Sequence, residues 1–292
     1  MAVGAPRDLV GRLAAIADEL VARETGPTGA VLRVATAEST AVDVAIGARQ
    51  THDGESPLAE PLPMTRDTLF DVGSVTKVAV TTCLAMRLHD AGRLGPDDPI
   101  ARWYAAFGEG VKREVTVRHL LAHRAGLWEW WPTYAFTRDP DHALAYAADL
   151  PLRYPPGTAR HYSDLGFMLL GGIVEEVAGA GIEEVARREL FAPLGQGGSC
   201  FRPGAASGVP VAATSHGDRY ERAMLATGDP YPVGVEPGAF AGWRSHTLAG
   251  EVNDGNAFHA FGGVAGHAGL FTTASDLTRL GRALLAALHG AG

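Results

Sequence analysis

The chain has 292 residues, of which 46% are apolar and 20% charged, with a formal charge of -8. Those proportions fit a soluble globular protein of one large domain or two modest ones, and the absence of a basic patch argues against nucleic-acid binding. Two cysteines, Cys83 and Cys200, form no metal-type or redox-type pair and cannot make a disulfide framework.

Met1 to Glu24 carries Asp8, Arg12, Asp18, Glu19 and Arg23 at helical spacing. It reads as an amphipathic helix, not as the apolar core of a signal peptide. No run of eighteen apolar residues exists, so no membrane span is expected, and residence in the cytoplasm follows if this is the natural start. Gly29–Ala37 and Thr40–Arg49 read as a two-strand hairpin, and Gln50–Pro63 as a polar, Pro-containing loop. A helix is expected from about Ser74 to His89, broken by Gly92, Gly95, Pro96 and Pro99. Val117–Ala125 is a short helix stopped at Gly126, followed by a loop bearing Trp128, Trp130, Trp131 and Tyr134. Further helices are read at 143–150, 165–177 and 182–190. Residues 195–266 look loop-heavy, and Ser275–Leu288 is a closing helix with Ser275 as its cap.

The chemistry concentrates at Ser74-Val75-Thr76-Lys77. Lys77 is one of only two lysines, in a chain that otherwise uses arginine for its cations. Arginine cannot shed its proton at working pH, whereas lysine can in a suitable environment. On a helix i and i+3 share a face, so the Ser74 hydroxyl and the Lys77 amine can meet as nucleophile and base. The neighbours Val75, Val78, Ala79 and Val80 imply that Lys77 is at least half buried. The bland alternative is a capping serine with a solvated lysine, since Ser-x-x-Lys alone is a weak signal. Tyr162 follows a Pro-Pro-Gly turn at 155–157; aimed at the Ser/Lys pair it could shuttle a proton, whereas taken alone it reads as an ordinary half-buried aromatic. His119 and His123 stand at i and i+4, but the intervening glutamate of a zinc motif is missing, so a structural role is favoured over a metal site.

These segments, read together, resemble the serine β-lactamase and penicillin-binding superfamily, most closely its class C-like branch of D-alanyl peptidases, esterases and β-lactamase-related proteins. The resemblance rests on FDVGSVTK (70–77), DDPI (97–100), LLAHRAGL (120–127), PPGTARHYSDLGFMLLG (155–171), FAPLG (191–195) and GGVAGHAGLFTTASDL (262–277). It implies an α+β fold, with a helical domain beside an antiparallel sheet flanked by helices. Residues 1–65 would give the first helix and hairpin, 66–209 the helical part with Ser74, Lys77 and Tyr162, and 210–292 the return to the sheet. By resemblance Ser74 is acylated, Lys77 activates it and Tyr162 transfers protons. Asp164 stands where the family often has Asn; it accepts hydrogen bonds but cannot donate an amide to a substrate carbonyl.

No lysine follows Lys112, so the family's third motif, Lys-[Ser/Thr]-Gly, is absent as written. Two readings stand. His267-Ala268-Gly269 takes its place, or that stretch precedes the third motif and the chain is truncated, leaving its sheet incomplete and one oxyanion donor missing. Asp164, Trp128 and His267 are the expected substrate contacts. The expected function is a serine hydrolase acting on a small ester, amide or peptide without cofactor or metal. The alternative is a degenerate, non-catalytic relative.

Overall fold

The computed structural model describes residues 7–23, 25–204 and 208–290. The first helix, α1, covers Arg7–Ala22; the expected residues 1–6 and 24 lie outside the described set. α1 packs on an antiparallel meander of β1 (Gly29–Ala35), β2 (Thr40–Asp53) and β3 (Ser56–Pro63), in that order. The register sets Val34 opposite Val42 and His52 opposite Pro57. The supposed loop at 50–63 is therefore corrected to the end of β2, a tight turn and a third strand. Gly54 and Glu55 form the turn between the paired Asp53 and Ser56, Gly54 taking φ +62° at the first central position, and Pro57, Pro61 and Pro63 mask the strand in the sequence. Those prolines lie on a strand with only one paired neighbour, where a missing N–H is tolerated.

A second small sheet carries the site. Its central strand is β8 (Leu270–Thr272), flanked by β4 (Phe70–Asp71) and β5 (Cys200–Phe201), both antiparallel to it. From β4 the chain turns through Gly73, at φ +48°, into a widened helical turn over Lys77–Thr82 that continues as α2 (Cys83–Asp90). α3 (Val117–Leu121) and α4 (Pro140–Asp149) follow.

The pivot of the helical part is α5 (Asp164–Ala178). Ser163 caps it, its Oγ accepting from Gly166 N–H at 3.1 Å, and Gly179 ends it at φ +74°. Leu165, Phe167, Met168, Leu169, Leu170, Ile173 and Val174 are all buried, so this helix is apolar nearly all round because it runs through the core. Burying each such side chain stabilises by roughly 1.5–3 kcal/mol. Gly171 faces Gly266: a Cβ on Gly171 would lie 2.8 Å from Gly266 Cα, so both glycines are needed for the 266–267 backbone to sit against α5.

α6 (Ile182–Ala186) continues through a wider turn to Phe191. A two-stranded sheet of β6 (Ala213–His216) and β7 (Thr247–Ala249) follows, with α7 (Arg219–Thr227) between the strands. α7 lies inside the region read as loop. Its nine residues bury only Met224, Leu225 and Glu221, too short an apolar stripe to register as periodic. The closing helix α8 (Ala274–Leu288) is capped by Thr273, whose Oγ1 accepts from Asp276 N–H; Ser275, expected as the cap, lies within the first turn. α8 packs on β1, and Arg282 Nε donates to Thr36 O at 2.9 Å.

Candidate active site

Ser74 follows β4 directly, on the first turn of the helical segment, so its position is fixed by that strand's pairing with β8. Asp71 braces the turn: its Oδ1 accepts from Gly73 N–H at 2.9 Å, and its Oδ2 from Asn253 N–H at 2.7 Å. Burial nonetheless pushes the Asp71 carboxyl above its usual range.

Lys77 is 3% exposed. Its Nζ donates to Ser74 Oγ at 2.9 Å and to the His267 carbonyl at 3.0 Å, and it lies 2.6 Å from Asp164 Oδ1 as an ion pair. That carboxylate oxygen is buried, and among the described residues it has no hydrogen-bond donor of good geometry, so the attraction is chiefly between charges. Ser74 and Lys77, expected from the sequence as nucleophile and base, do meet, and Asp164, expected as a substrate contact, reaches the amine as well. With the His267 carbonyl, this convergence needs three separate segments: the turn after β4, the start of α5 and the loop before β8.

Tyr162 is half exposed, and Lys77 Nζ lies 4.9 Å from its ring centroid. The ring rests on His123, with centroids 4.4 Å apart. His123 is buried at φ +56°, and its Nδ1 accepts from Ser163 N–H at 3.0 Å, which places the ring proton on Nε2. Burial, then the charges of Lys77 and Arg160, hold His123 below the ordinary imidazole range. His119 has a different task, its Nδ1 accepting from Thr116 N–H at the start of α3. The two histidines thus spend their Nδ1 atoms on separate backbone amides.

His267 and Trp128 are placed otherwise than as expected for substrate contacts. The His267 imidazole is fully buried, with Nε2 3.0 Å from Asp254 Oδ1; only its backbone carbonyl reaches the catalytic group. Trp128 donates its indole N–H to Pro151 O, stacks edge-on against Trp131 and does not line the cavity beside Ser74. The tryptophan that does is Trp130, two residues on and 4% exposed.

That cavity has a volume of about 360 Å³ and opens beside Ser74. Five carboxylates line it: Asp71, Asp164, Asp218, Glu221 and Asp254. Although burial raises the Asp218 carboxyl, hydrogen bonds from His259 and Arg244 outweigh it and hold the group well below its usual range. Burial likewise opposes ionisation of Asp254, but the adjoining His267 keeps it low. Glu221 moves the other way, raised by burial and by the charge of Asp254. No spacing in the sequence announces Asp218, Glu221 or Asp254. Asp71, three residues before Ser74, is the one member that proximity to the motif could have flagged.

Comparison with known proteins gives a consistent result. The sequence model of the β-lactamase family matches residues 13–291. Over 254 residues the chain is 31% identical to a putative D-alanyl-D-alanine carboxypeptidase of Escherichia coli (strain K12), covering 82% of this chain and 56% of that protein. Over 285 residues it is 30% identical to an N-acetylmuramyl-L-alanine amidase of Bacillus subtilis (strain 168), covering 92% and 62%. The crystal structure of SurE superposes with a TM-score of 0.64 at 28% identity, over 94% of this chain and 52% of that one. A class C β-lactamase does so with a TM-score of 0.64 at 20% identity, over 94% and 62%, which speaks to the fold alone. The chain thus spans between about half and two thirds of the length of these relatives.

Proposed function

The chain belongs to the β-lactamase family, and on that footing we propose that it is a serine hydrolase that acts on an ester or amide through an acyl-enzyme on Ser74. The observation that carries this reading is the buried contact between Lys77 Nζ and Ser74 Oγ at 2.9 Å. In the neutral form the amine takes the hydroxyl proton as Oγ attacks the carbonyl carbon, and the C–O bond to Ser74 forms. Collapse of the tetrahedral intermediate expels the alcohol or amine, which must receive a proton. Tyr162, over whose ring Lys77 lies, is the proposed carrier of that proton. Water then attacks the acyl-enzyme, and Ser74 leaves with its proton restored.

Asp164 sets the terms of this chemistry. Its carboxylate stands 2.6 Å from Lys77 Nζ, an opposite charge beside the amine that takes up the serine proton. It also presents an acceptor to substrate where an amide would present a donor as well. The carboxypeptidase and amidase names of the relatives support amide or peptide substrates for this chain as well.

The test is covalent labelling of the purified chain with a fluorophosphonate, read by mass spectrometry of the peptide carrying residue 74. A stoichiometric adduct on Ser74, absent in Ser74→Ala, is expected. No adduct at millimolar probe over hours would overturn the reading.

A further inference from the structure

The His267 ring is fully buried, and its one polar contact is with Asp254. Nε2 lies 3.0 Å from Asp254 Oδ1, an acceptor, so Nε2 carries a proton; Nδ1 is buried without a partner among the described residues. An apolar side chain would fill the same space without stranding a ring nitrogen, which costs roughly 1–3 kcal/mol. What histidine adds at this position is the bond to Asp254. Asp254 is itself held. Its Oδ1 also accepts from Ala257 N–H at 2.8 Å, and its backbone carbonyl accepts from Phe258 N–H at 3.0 Å. On either side, Asn253 N–H donates to Asp71, and Asn256 Oδ1 accepts from Thr133 N–H at 2.8 Å and from Thr133 Oγ1 at 2.7 Å. The 253–257 segment is therefore a fixed post against which the ring is tied.

The backbone of His267 is pinned before and after. Thr81 Oγ1 donates to Gly266 O at 2.6 Å, and Leu270 N–H donates to Thr76 Oγ1 at 3.1 Å. Between those pins Gly269 takes φ +113°, so the 267–269 backbone follows no strand geometry, and the tied ring is what fixes its orientation. The carbonyl of His267 accepts from Lys77 Nζ at 3.0 Å. A carbonyl only accepts, so it claims an N–H of the amine. Of the groups around Nζ, the Ser74 hydroxyl is the one able to donate, and the lone pair of the neutral amine is left facing it.

We propose that Asp254 and His267 are positioning residues for Lys77: the carboxylate holds the ring, the ring fixes the 267 carbonyl, and the carbonyl aims the amine at Ser74 Oγ. That the aimed amine is a base rests on the acyl-enzyme reading; that it is held does not. Neither residue touches the reacting atoms with its side chain, and both act through one backbone oxygen. A base displaced by about 1 Å loses much of its effect, so a bond this far from the chemistry governs the rate.

Only Lys77 and Lys112 carry a lysine amine in this chain, so the group is easy to watch. The full 292-residue chain is grown with lysine carrying carbon-13 at Cε, and Lys77→Arg assigns the two signals by nuclear magnetic resonance. A lysine held at its amine shows two distinct Hε shifts, whereas free rotation averages them. The unmodified chain is expected to show a split pair for Lys77. His267→Leu fills similar space without the donor and is expected to collapse that pair, while Lys112, bonded to the Ala148 carbonyl, keeps its signal. In the same variant the maximal rate of fluorophosphonate labelling of Ser74 is expected to fall at least about tenfold. The probe concentration giving half that rate should stay unchanged, because a displaced base slows proton transfer and not binding. His267→Gln returns a donor to Asp254 and is expected to restore the split pair, and the rate to within about threefold. An averaged Lys77 pair in the unmodified chain overturns the proposal, as does a split pair or an undiminished rate in His267→Leu. Equal losses in His267→Gln and His267→Leu overturn it too. Should His267→Leu fail to fold, Asp254→Ala, which strips the ring of its acceptor, is read by the same criteria. A restrained Lys77 with no labelling of Ser74 keeps the positioning and removes the hydrolase; labelling indifferent to His267→Leu does the reverse.

Discussion

Arg244→Met is the perturbation whose size the structure constrains best. The Arg244 side chain is 4% exposed and that of Asp218 1%. The guanidinium donates to Asp218 Oδ1 from Nε at 2.9 Å and from Nη2 at 2.6 Å. It also donates to the carbonyls of Val252 at 2.7 Å and Asn253 at 3.0 Å. Methionine fills similar space but donates nothing. Asp218 would keep His259 Nε2 at 3.0 Å and one backbone N–H, and two carbonyls would lose a donor. Breaking a buried ion pair by removing one partner costs about 3–5 kcal/mol, because the remaining charge stays desolvated. With a urea slope of roughly 3 kcal/mol/M, the unfolding midpoint should fall by about 1–1.7 M at pH 7.

The pH dependence of this loss has a definite sign. Asp218 is depressed in the folded protein, so its stabilisation is present above the unfolded carboxylate pKa of about 3.9 and is lost as pH falls below it. The gap between Arg244→Met and the unmodified chain should therefore be full at pH 7 and narrow in acid, as the stranded carboxylate takes up a proton. A loss under about 1 kcal/mol at pH 7 would refute the assignment of this pair as a buried, mutually dependent unit, since that is the range of exposed pairs. So would a gap that stays constant to pH 3.

Other expectations bear on the site itself. Lys77→Arg keeps the charge but removes the titratable amine, so the fluorophosphonate labelling rate of Ser74 should fall by about 10²–10⁴; a change within threefold would leave Lys77 without a role as base. His123 is held low by burial, then by Lys77 and Arg160, so the fold disfavours its protonated form. Its contribution is intact above the unfolded value of about 6.5 and is lost as pH drops below that, by up to about 1.4 kcal/mol per pH unit. His123→Asn, which keeps an acceptor for Ser163 N–H, should flatten the fall in melting temperature between pH 7 and pH 5; an unchanged slope would mean that another group carries it.

What could be read from the sequence is what depends on near neighbours in the chain. Ser74 and Lys77 share a helical face because i and i+3 must. α5 declares itself as a long apolar segment, 165–177. Tyr162 and Asp164 are legible because they follow the Pro-Pro-Gly turn in the stretch 155–171 that carries the family resemblance. The misreadings are equally local in origin. Three prolines hid β3, Ser275 looked as good a cap as Thr273, and nothing separated Trp128 from Trp130 as the tryptophan that lines the cavity.

The tertiary structure alone decided which groups surround Ser74. The third acceptor of the Lys77 amine is a backbone carbonyl, that of His267, 190 residues away, and no residue type encodes a carbonyl. The cavity's acidity comes from β4, α5, the segment before α7, α7 itself and the 253–255 loop, none of which is acidic as a stretch. Side-chain identity is written along the chain, but the field at a point is a sum over distances in space. Only the packing of those segments fixes the distances, and with them which carboxylates are held low by a cation and which is pushed up by burial.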